Sequence, residues 1–166
     1  MQRNRMTPYD RSMTDAHMPA SPIDQAALEA VIAHLAADSG TVHRAGEDGH
    51  LHLTAIVGAY PPPVMDAIRR IPVGKGLAGL AAQRLEPVTV CNLQEDPSGQ
   101  VRPGARATGM EGAITVPCID ANGTLRAVLG IANRAARTFT PDEVRALLER
   151  ARAIAAAGSH AGPVAS

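Results

Sequence analysis

Only three aromatic rings, Tyr9, Tyr60 and Phe139, stand in a chain of 166 residues. Hydrophobic residues still make up 45% of it, so the core has to be assembled from Ala, Val, Leu, Ile and Met. A chain of this length buries about 70% of the surface that its unfolded form exposes, enough to fold without metal or disulfide staples. The scarcity of rings also removes the stacking platforms on which single-stranded nucleic acid is held.

Charge excludes more. Sixteen basic and sixteen acidic residues cancel, and Lys75 is the only lysine. No global field draws the chain to DNA or to an anionic membrane, so neither nucleic acid nor membrane is expected as a partner. No apolar run approaches the roughly 20 residues of a bilayer span, and the polar start MQRNRMTPYDRSMTD lacks the apolar stretch of a signal peptide. The expected location is cytoplasmic. Cys91 and Cys118, with 26 residues between them, match neither a zinc spacing nor a disulfide framework. Each closes an apolar strand and reads as a reduced, small hydrophobe.

Along the chain, residues 1–22 carry no apolar period and end in Pro19 and Ser21-Pro22, which predicts a disordered lead-in. From Asp24, residues Ala27, Leu28, Val31, Ile32 and Leu35 recur at helical spacing, giving an amphipathic helix that ends before Gly40. Asp24 and Ser21 are equally good caps for it. Strands at 41–44 and 50–57 flank the turn Gly46-Glu47-Asp48-Gly49. Alternation puts Leu51, Leu53, Ala55 and Val57 on the inner face of the second strand and His50, His52 and Thr54 on the outer one. The two histidines have no third ligand nearby, so no metal site is expected.

Pro61-Pro62-Pro63 opens a short helix towards Arg70, and Ile71-Pro72 closes it. The segment 73–82 holds Gly74, Gly76 and Gly79, but a phosphate loop would need Gly-Lys-Ser/Thr, and here the lysine sits between glycines. A strand follows at 87–91. Residues 92–111 form a long irregular stretch of the kind that usually roofs a binding site. Strands at 112–119 and 124–133 are joined by Asp120-Ala121-Asn122-Gly123, a strong hairpin signal. Thr138-Phe139-Thr140-Pro141-Asp142-Glu143 then starts a last helix with a Thr cap, Pro at its first position and acids in its first turn. It runs to about Ala157, and a frayed tail covers 158–166.

Five segments in order carry a family resemblance: Ile71-Pro72-Val73-Gly74-Lys75-Gly76-Leu77-Ala78-Gly79, Pro87-Val88-Thr89-Val90, Ile114-Thr115-Val116-Pro117, Val128 to Arg134, and Phe139-Thr140-Pro141-Asp142-Glu143. Together they resemble the successive signatures of the GAF domain, with 23–157 as the domain. The resemblance implies an α+β fold with a central antiparallel sheet. The N- and C-terminal helices lie on one face, and a ligand pocket roofed by loops and short helices lies on the other. It implies ligand contacts from Leu77, Ala78, Cys91, Asn92, Asp96, Arg102, Arg106, Thr108, Met110, Glu111 and Thr115. Arg102 and Arg106, four apart, would fork onto a small anion, carboxylate or phosphate if both turned inward.

Asn133, Arg134, Phe139, Asp142 and Glu143 come close to the Asn-Lys...Phe...Asp-Glu pattern of cyclic-nucleotide-binding members. Physically it reads as an ion pair from Arg134 to Asp142 and Glu143 that holds the last strand to the last helix. One enzymatic branch, the free methionine sulfoxide reductases, uses cysteines and acids at set positions, and this chain has Ala78, Gly130 and Ala132 at three of them. The chemistry needs a thiolate and a resolving thiol in reach. The expectation is a sensor that binds a small ligand, is not an enzyme and needs no cofactor. Its Ala-rich helices 24–38 and 141–157, with Ala151, Ala153, Ala155 and Ala156, would pair two copies as a homodimer. No output domain follows, so a separate signalling or transcriptional partner is expected.

Overall fold

The structure, a computed structural model, describes residues 20–95 and 108–161. Its elements are α1 (Pro22–Leu35), β1 (Ser39–Ala45), β2 (His50–Val57), α2 (Pro62–Ile68), β3 (Arg70–Pro72), α3 (Gly76–Arg84), β4 (Val88–Val90), β5 (Gly112–Ile119), β6 (Leu125–Asn133) and α4 (Pro141–Ala161). The six strands form one sheet in the order β3-β2-β1-β6-β5-β4, and every neighbouring pair is antiparallel. This is the α+β architecture expected.

Helix α1 starts where Ser21 Oγ accepts a hydrogen bond from the Asp24 amide at 3.1 Å, with Pro22 in the first turn. Ser21 is therefore the cap, and the helix begins inside the stretch read as a disordered lead-in. The rest of that lead-in, residues 1–19, lies outside the described residues. Asp24 is freed for another task. It is 1% exposed, and its carboxylate takes Arg44 Nε at 2.9 Å and the Thr54 hydroxyl at 2.7 Å. A buried carboxylate is stable only when paired and hydrogen-bonded in this way.

Thr54 was expected to face outward, and the register explains why it does not. Val42 pairs with Ala55 but His43 pairs with Leu53, so one extra residue bulges from β2. A bulge changes the phase of the side-chain alternation. Leu51 and Leu53 precede it and face one side of the sheet. Thr54, Ala55 and Val57 turn to the other side, where Ala55 and Val57 pack with α1 and α4. The single inner face expected for β2 is thus two faces, one on each side of the bulge.

The helix side of the sheet is the main core. Leu28, Val31 and Leu35 of α1 and Leu147, Ala151, Ile154 and Ala155 of α4 pack on Val42, Ile114, Val116, Cys118, Leu129 and Ile131. Each buried Leu, Ile or Val contributes roughly 1.5–3 kcal/mol by leaving water. Ala151 and Ala155, expected to meet a second copy, are buried in the chain's own core instead, at 1% and 0% exposure. Helix α4 opens with a capping box. The Glu143 amide donates to Thr140 Oγ1 at 3.1 Å, and the Thr140 amide donates to Glu143 Oε1 at 2.9 Å. The helix continues to Ala161, past the expected end near Ala157; residues 162–166 lie outside the described residues.

On the opposite side, α3 lays Ala81 and Ala82 against Leu51, Ile71, Val88 and Val128. Two glycines make this possible. A Cβ at Gly79 would stand 2.6 Å from the Pro72 carbonyl oxygen, and Gly76 opens the helix at φ +67. The glycines serve close packing and a left-handed turn. Arg70–Pro72, read from sequence only as a helix end, pairs with His50–His52 as edge strand β3.

Candidate functional site

The sheet face opposite α1 and α4 floors a cavity of about 430 Å³. Thr41 and His43 of β1, Ala113 and Thr115 of β5, and Gly130 and Ala132 of β6 form the floor. One wall is Tyr60 with Val64, Ala67 and Ile68 of α2. Facing it are Lys75, Gly76, Leu77 and Ala78, where α3 begins. Leu93, Thr108 and Met110 close the far side, flanking residues 96–107. Gly130 contributes by what it lacks, since a Cβ there would come within 3.0 Å of the Thr115 methyl group. The volume lies within the range of about 300–1,000 Å³ typical of small-molecule sites.

Polar groups are few and specifically held. His43 is 2% exposed, and its Nε2 lies 2.8 Å from the Ile68 carbonyl oxygen. A carbonyl oxygen only accepts, so Nε2 carries the proton and Nδ1 is a lone-pair acceptor. Nδ1 has no hydrogen-bond partner. Burial pushes the imidazole down to about 4, partly opposed by the Ile68 bond, so the ring is neutral. Burial likewise raises the Tyr60 phenol, an effect tempered by the Ser39 hydroxyl, which lies near it without hydrogen-bond geometry. The Thr115 hydroxyl is committed, donating to the Leu77 carbonyl at 3.1 Å. At the mouth stands Lys75, exposed and, among the described residues, without an ion pair. It precedes α3 with no side-chain cap on the helix, so the first-turn amides have only their backbone surroundings.

Of the residues expected at the ligand, Leu77, Ala78, Thr108, Met110 and Thr115 line this cavity, whereas Cys91, Asn92 and Glu111 do not. Cys91 is exposed, and its sulfur accepts from the Thr138 hydroxyl at 3.6 Å. The Asn92 side chain turns back on its own loop to Glu95 and the Gln94 amide. Glu111 bridges strands through its backbone, donating to Asn133 and accepting from Leu93. Asp96, Arg102 and Arg106 lie outside the described residues. Among the described residues no cluster of His, Cys, Asp and Glu could hold a metal. His50 and His52 instead bond to Asp48, His52 Nε2 lying 3.0 Å from the carboxylate, which holds the Asp48 carboxyl down at about 2.

A helix-backed antiparallel sheet with a cavity on its free face, and the Gly-rich α3 at the rim of that cavity, is the arrangement the sequence motifs imply. The family model of the GAF domain matches residues 23–157. The chain belongs to the GAF family. The solved GAF domain of a phosphoenolpyruvate-protein phosphotransferase from Coxiella burnetii is similar, with 23% identity over 91% of this chain and 88% of that one, at TM-score 0.72. So is type II free methionine-R-sulfoxide reductase from Thermoplasma acidophilum, with 20% identity over 82% and 89%, at TM-score 0.68. A domain assigned to a two-component sensor histidine kinase protein of Sinorhizobium meliloti 1021 shares 18% identity over 80% and 86%, at TM-score 0.63. At these identities the likeness is one of fold. No curated protein sequence matches the chain significantly.

In this GAF domain the junction from β6 to α4 is held by a different arginine from the one expected. Arg137 Nη2 meets Glu143 Oε2 at 2.8 Å, and its Nη1 donates to Asn133 Oδ1 at 2.8 Å. The guanidinium also lies 4.5 Å from the centre of the Phe139 ring. Arg134 gives only its backbone amide, to Asp38 Oδ2 at 2.7 Å, and Asp142 pairs with exposed Arg145. The ion pair across the junction is real; Arg134 and Asp142 are not its members. His43, Tyr60 and Lys75 were missed as cavity residues. Strand alternation around Val42 was the one available signal for His43, because it places Thr41 and His43 together on the face away from the helices.

Proposed function

We propose that this GAF domain is a sensor that holds a small molecule in the cavity and whose state is read by a separate protein, a signalling or transcriptional one. The observation that carries the proposal is the cavity itself: largely apolar, floored by the central strands and lined by α2, α3 and the residues flanking 96–107. Such a site exchanges bound and free states, and a coupling of about 1–3 kcal/mol suffices to bias an output. The first experiment is to purify the protein natively, denature it and identify released small molecules by mass spectrometry. A stoichiometric metabolite supports the proposal; an empty cavity that binds nothing in a metabolite screen sinks it.

The likeness to a methionine sulfoxide reductase favours a second reading, a thiol enzyme. Against it, among the described residues neither cysteine lines the cavity. Cys118 lies on the helix side of the sheet, and burial pushes its thiol up to about 12. We propose no catalytic role, and replacing both cysteines by serine separates the readings: ligand binding survives, whereas a thiol enzyme loses turnover.

Two copies pairing through the outer faces of α1 and α4 form the second part of the proposal. Ala26, Ala30, Ala33, Ala153 and Ala156 are the exposed small residues left there for close approach. Light scattering at high concentration should give twice the chain mass; a monodisperse monomer removes this part.

A further inference from the structure

Four residues with hydroxyls line the cavity, and they are not equivalent. Thr115 donates to the Leu77 carbonyl, and Thr108 accepts from the Met110 amide at 3.1 Å. The hydroxyls of Thr41 and Tyr60 make no hydrogen bond among the described residues, and neither oxygen is sealed off. Nδ1 of His43 is sealed and takes no part. Thr41 is half-buried on the third strand of six. β2 and β6 flank it, and α1 and α4 cover the other face of the sheet, so its open surface is the cavity floor. Across the ladder stands Gly130, where a Cβ would lie 3.6 Å from Thr41 Oγ1. The missing side chain leaves that oxygen uncovered. Tyr60 stands at the same end, its phenol beside Ser39, which precedes Thr41 by two residues and shares its face of β1.

Beyond Thr41 the floor is flat and apolar. Gly130, Ala132 and Ala113 carry nothing larger than a methyl group, and Leu77 and Met110 stand at their far side. From β1 to β5 is two strand spacings, about 10 Å. Lys75 is the only charged residue among the described lining. It is exposed at the mouth, where an ion pair in water is worth little. Deeper in, an ionic group would lose its hydration and meet no opposite charge. Resting on the reading of the cavity as a ligand site, we propose that its ligand is a small uncharged molecule with a flat apolar body and one carbonyl or hydroxyl oxygen. The oxygen pairs with the hydroxyls of Thr41 and Tyr60, each able to donate and to accept. The body crosses Gly130 towards Ala113 and Met110.

A rigid two-ring series tests this: indane, indanone, indanol, indane carboxylate and the aminoindane cation, all substituted at the same carbon. NMR titration of the full chain at neutral pH should find indanone or indanol binding at least ten-fold more tightly than either ion. Thr41→Val and Tyr60→Phe remove one hydroxyl each and nearly keep the shape. Either should weaken indanone or indanol about five-fold, the worth of one hydrogen bond, and leave indane unchanged, while Thr41→Ser keeps the affinity of the parent. Loss in one variant alone supports the proposal and identifies the partner hydroxyl. Indanone and indanol binding both variants as they bind the parent overturns it, and so does an ion that binds the parent as tightly as they do. The comparison with the ions needs no variant, so a misfolded one does not shelter the proposal. Failure of both indanone and indanol to bind also overturns it. A charged molecule released from the native protein overturns this ligand class yet leaves the sensor reading standing. A cavity that releases nothing and binds none of the five compounds removes both.

Discussion

His43 is a histidine that the fold keeps neutral, and this gives the protein a defined acid sensitivity. Its imidazole titrates near 4 in the folded chain because burial opposes the charge, against 6.5 when exposed. Below pH 6.5 the unfolded chain therefore binds a proton that the folded chain refuses, so stability falls as pH drops from 6.5 towards 4. The full gap corresponds to a loss on the order of 3 kcal/mol. Thermal melts from pH 7.5 to 4 should show this decline, and His43→Gln, which keeps a donor for Ile68 but does not titrate, should flatten it. Asp48, Asp120 and Glu143 also hold depressed values, but their contributions are lost at lower pH, below the ordinary carboxylate range. Asp24 and Arg44 make the complementary case. Arg44→Met strands a carboxylate that is 1% exposed, and chemical denaturation should register a loss of about 3–5 kcal/mol. Replacing Asp24 by leucine in the same chain should recover much of it, because an apolar pair has no charge to desolvate. None of this was legible in the sequence. Asp24 looked like a cap and Thr54 like a surface residue, since local pattern does not reveal a partner 20 or 30 residues away.

The elements that local chemistry specifies were legible. β5 spans the expected 112–119, the Asn122-Gly123 turn joins it to β6, and α4 begins at Pro141 behind Thr140. Thr140→Ala removes the hydroxyl that caps α4 and should cost about 1 kcal/mol, read as a lowered melting temperature with an unchanged circular dichroism spectrum. Two elements escaped because tertiary contact makes them. β3 is three residues long and exists through its pairing with β2. The junction from β6 to α4 carries two arginines, Arg134 and Arg137, and the family pattern pointed to Arg134. The turn instead presents Arg137, whose guanidinium meets Asn133, Phe139 and Glu143 together.

Across the whole molecule the main core lies on the helix side of the sheet, while the other side carries the cavity beside a smaller buried cluster under α3. A change confined to an exposed residue of the cavity wall should leave folding intact. Ala67 tests this, because it lines the cavity yet is exposed on α2. Ala67→Phe should stay within about 0.5 kcal/mol of the parent in stability, as exposed substitutions usually do. It should also lose whatever small molecule the parent retains, read by native mass spectrometry. The presence of a cavity on the sheet face away from the terminal helices was legible from the order of the motifs. Its polar lining was not, because the long irregular stretch 92–111 drew attention to Arg102 and Arg106, which lie outside the described residues, while His43 sits on a central strand and Lys75 at the rim.

The extra residue in β2 is an insertion the cavity does not notice. With Thr54 deleted, Leu53 would still stand opposite His43 and Ala55 opposite Val42, and plain alternation would put each on the face it already occupies. What would go is the hydroxyl that steadies Asp24 and the carbonyl that accepts the Ser21 amide at the start of α1. A single codon gained or lost there would thus change how firmly α1 is anchored and leave untouched what the domain recognises. Anchoring and recognition can drift independently in descendants of this chain.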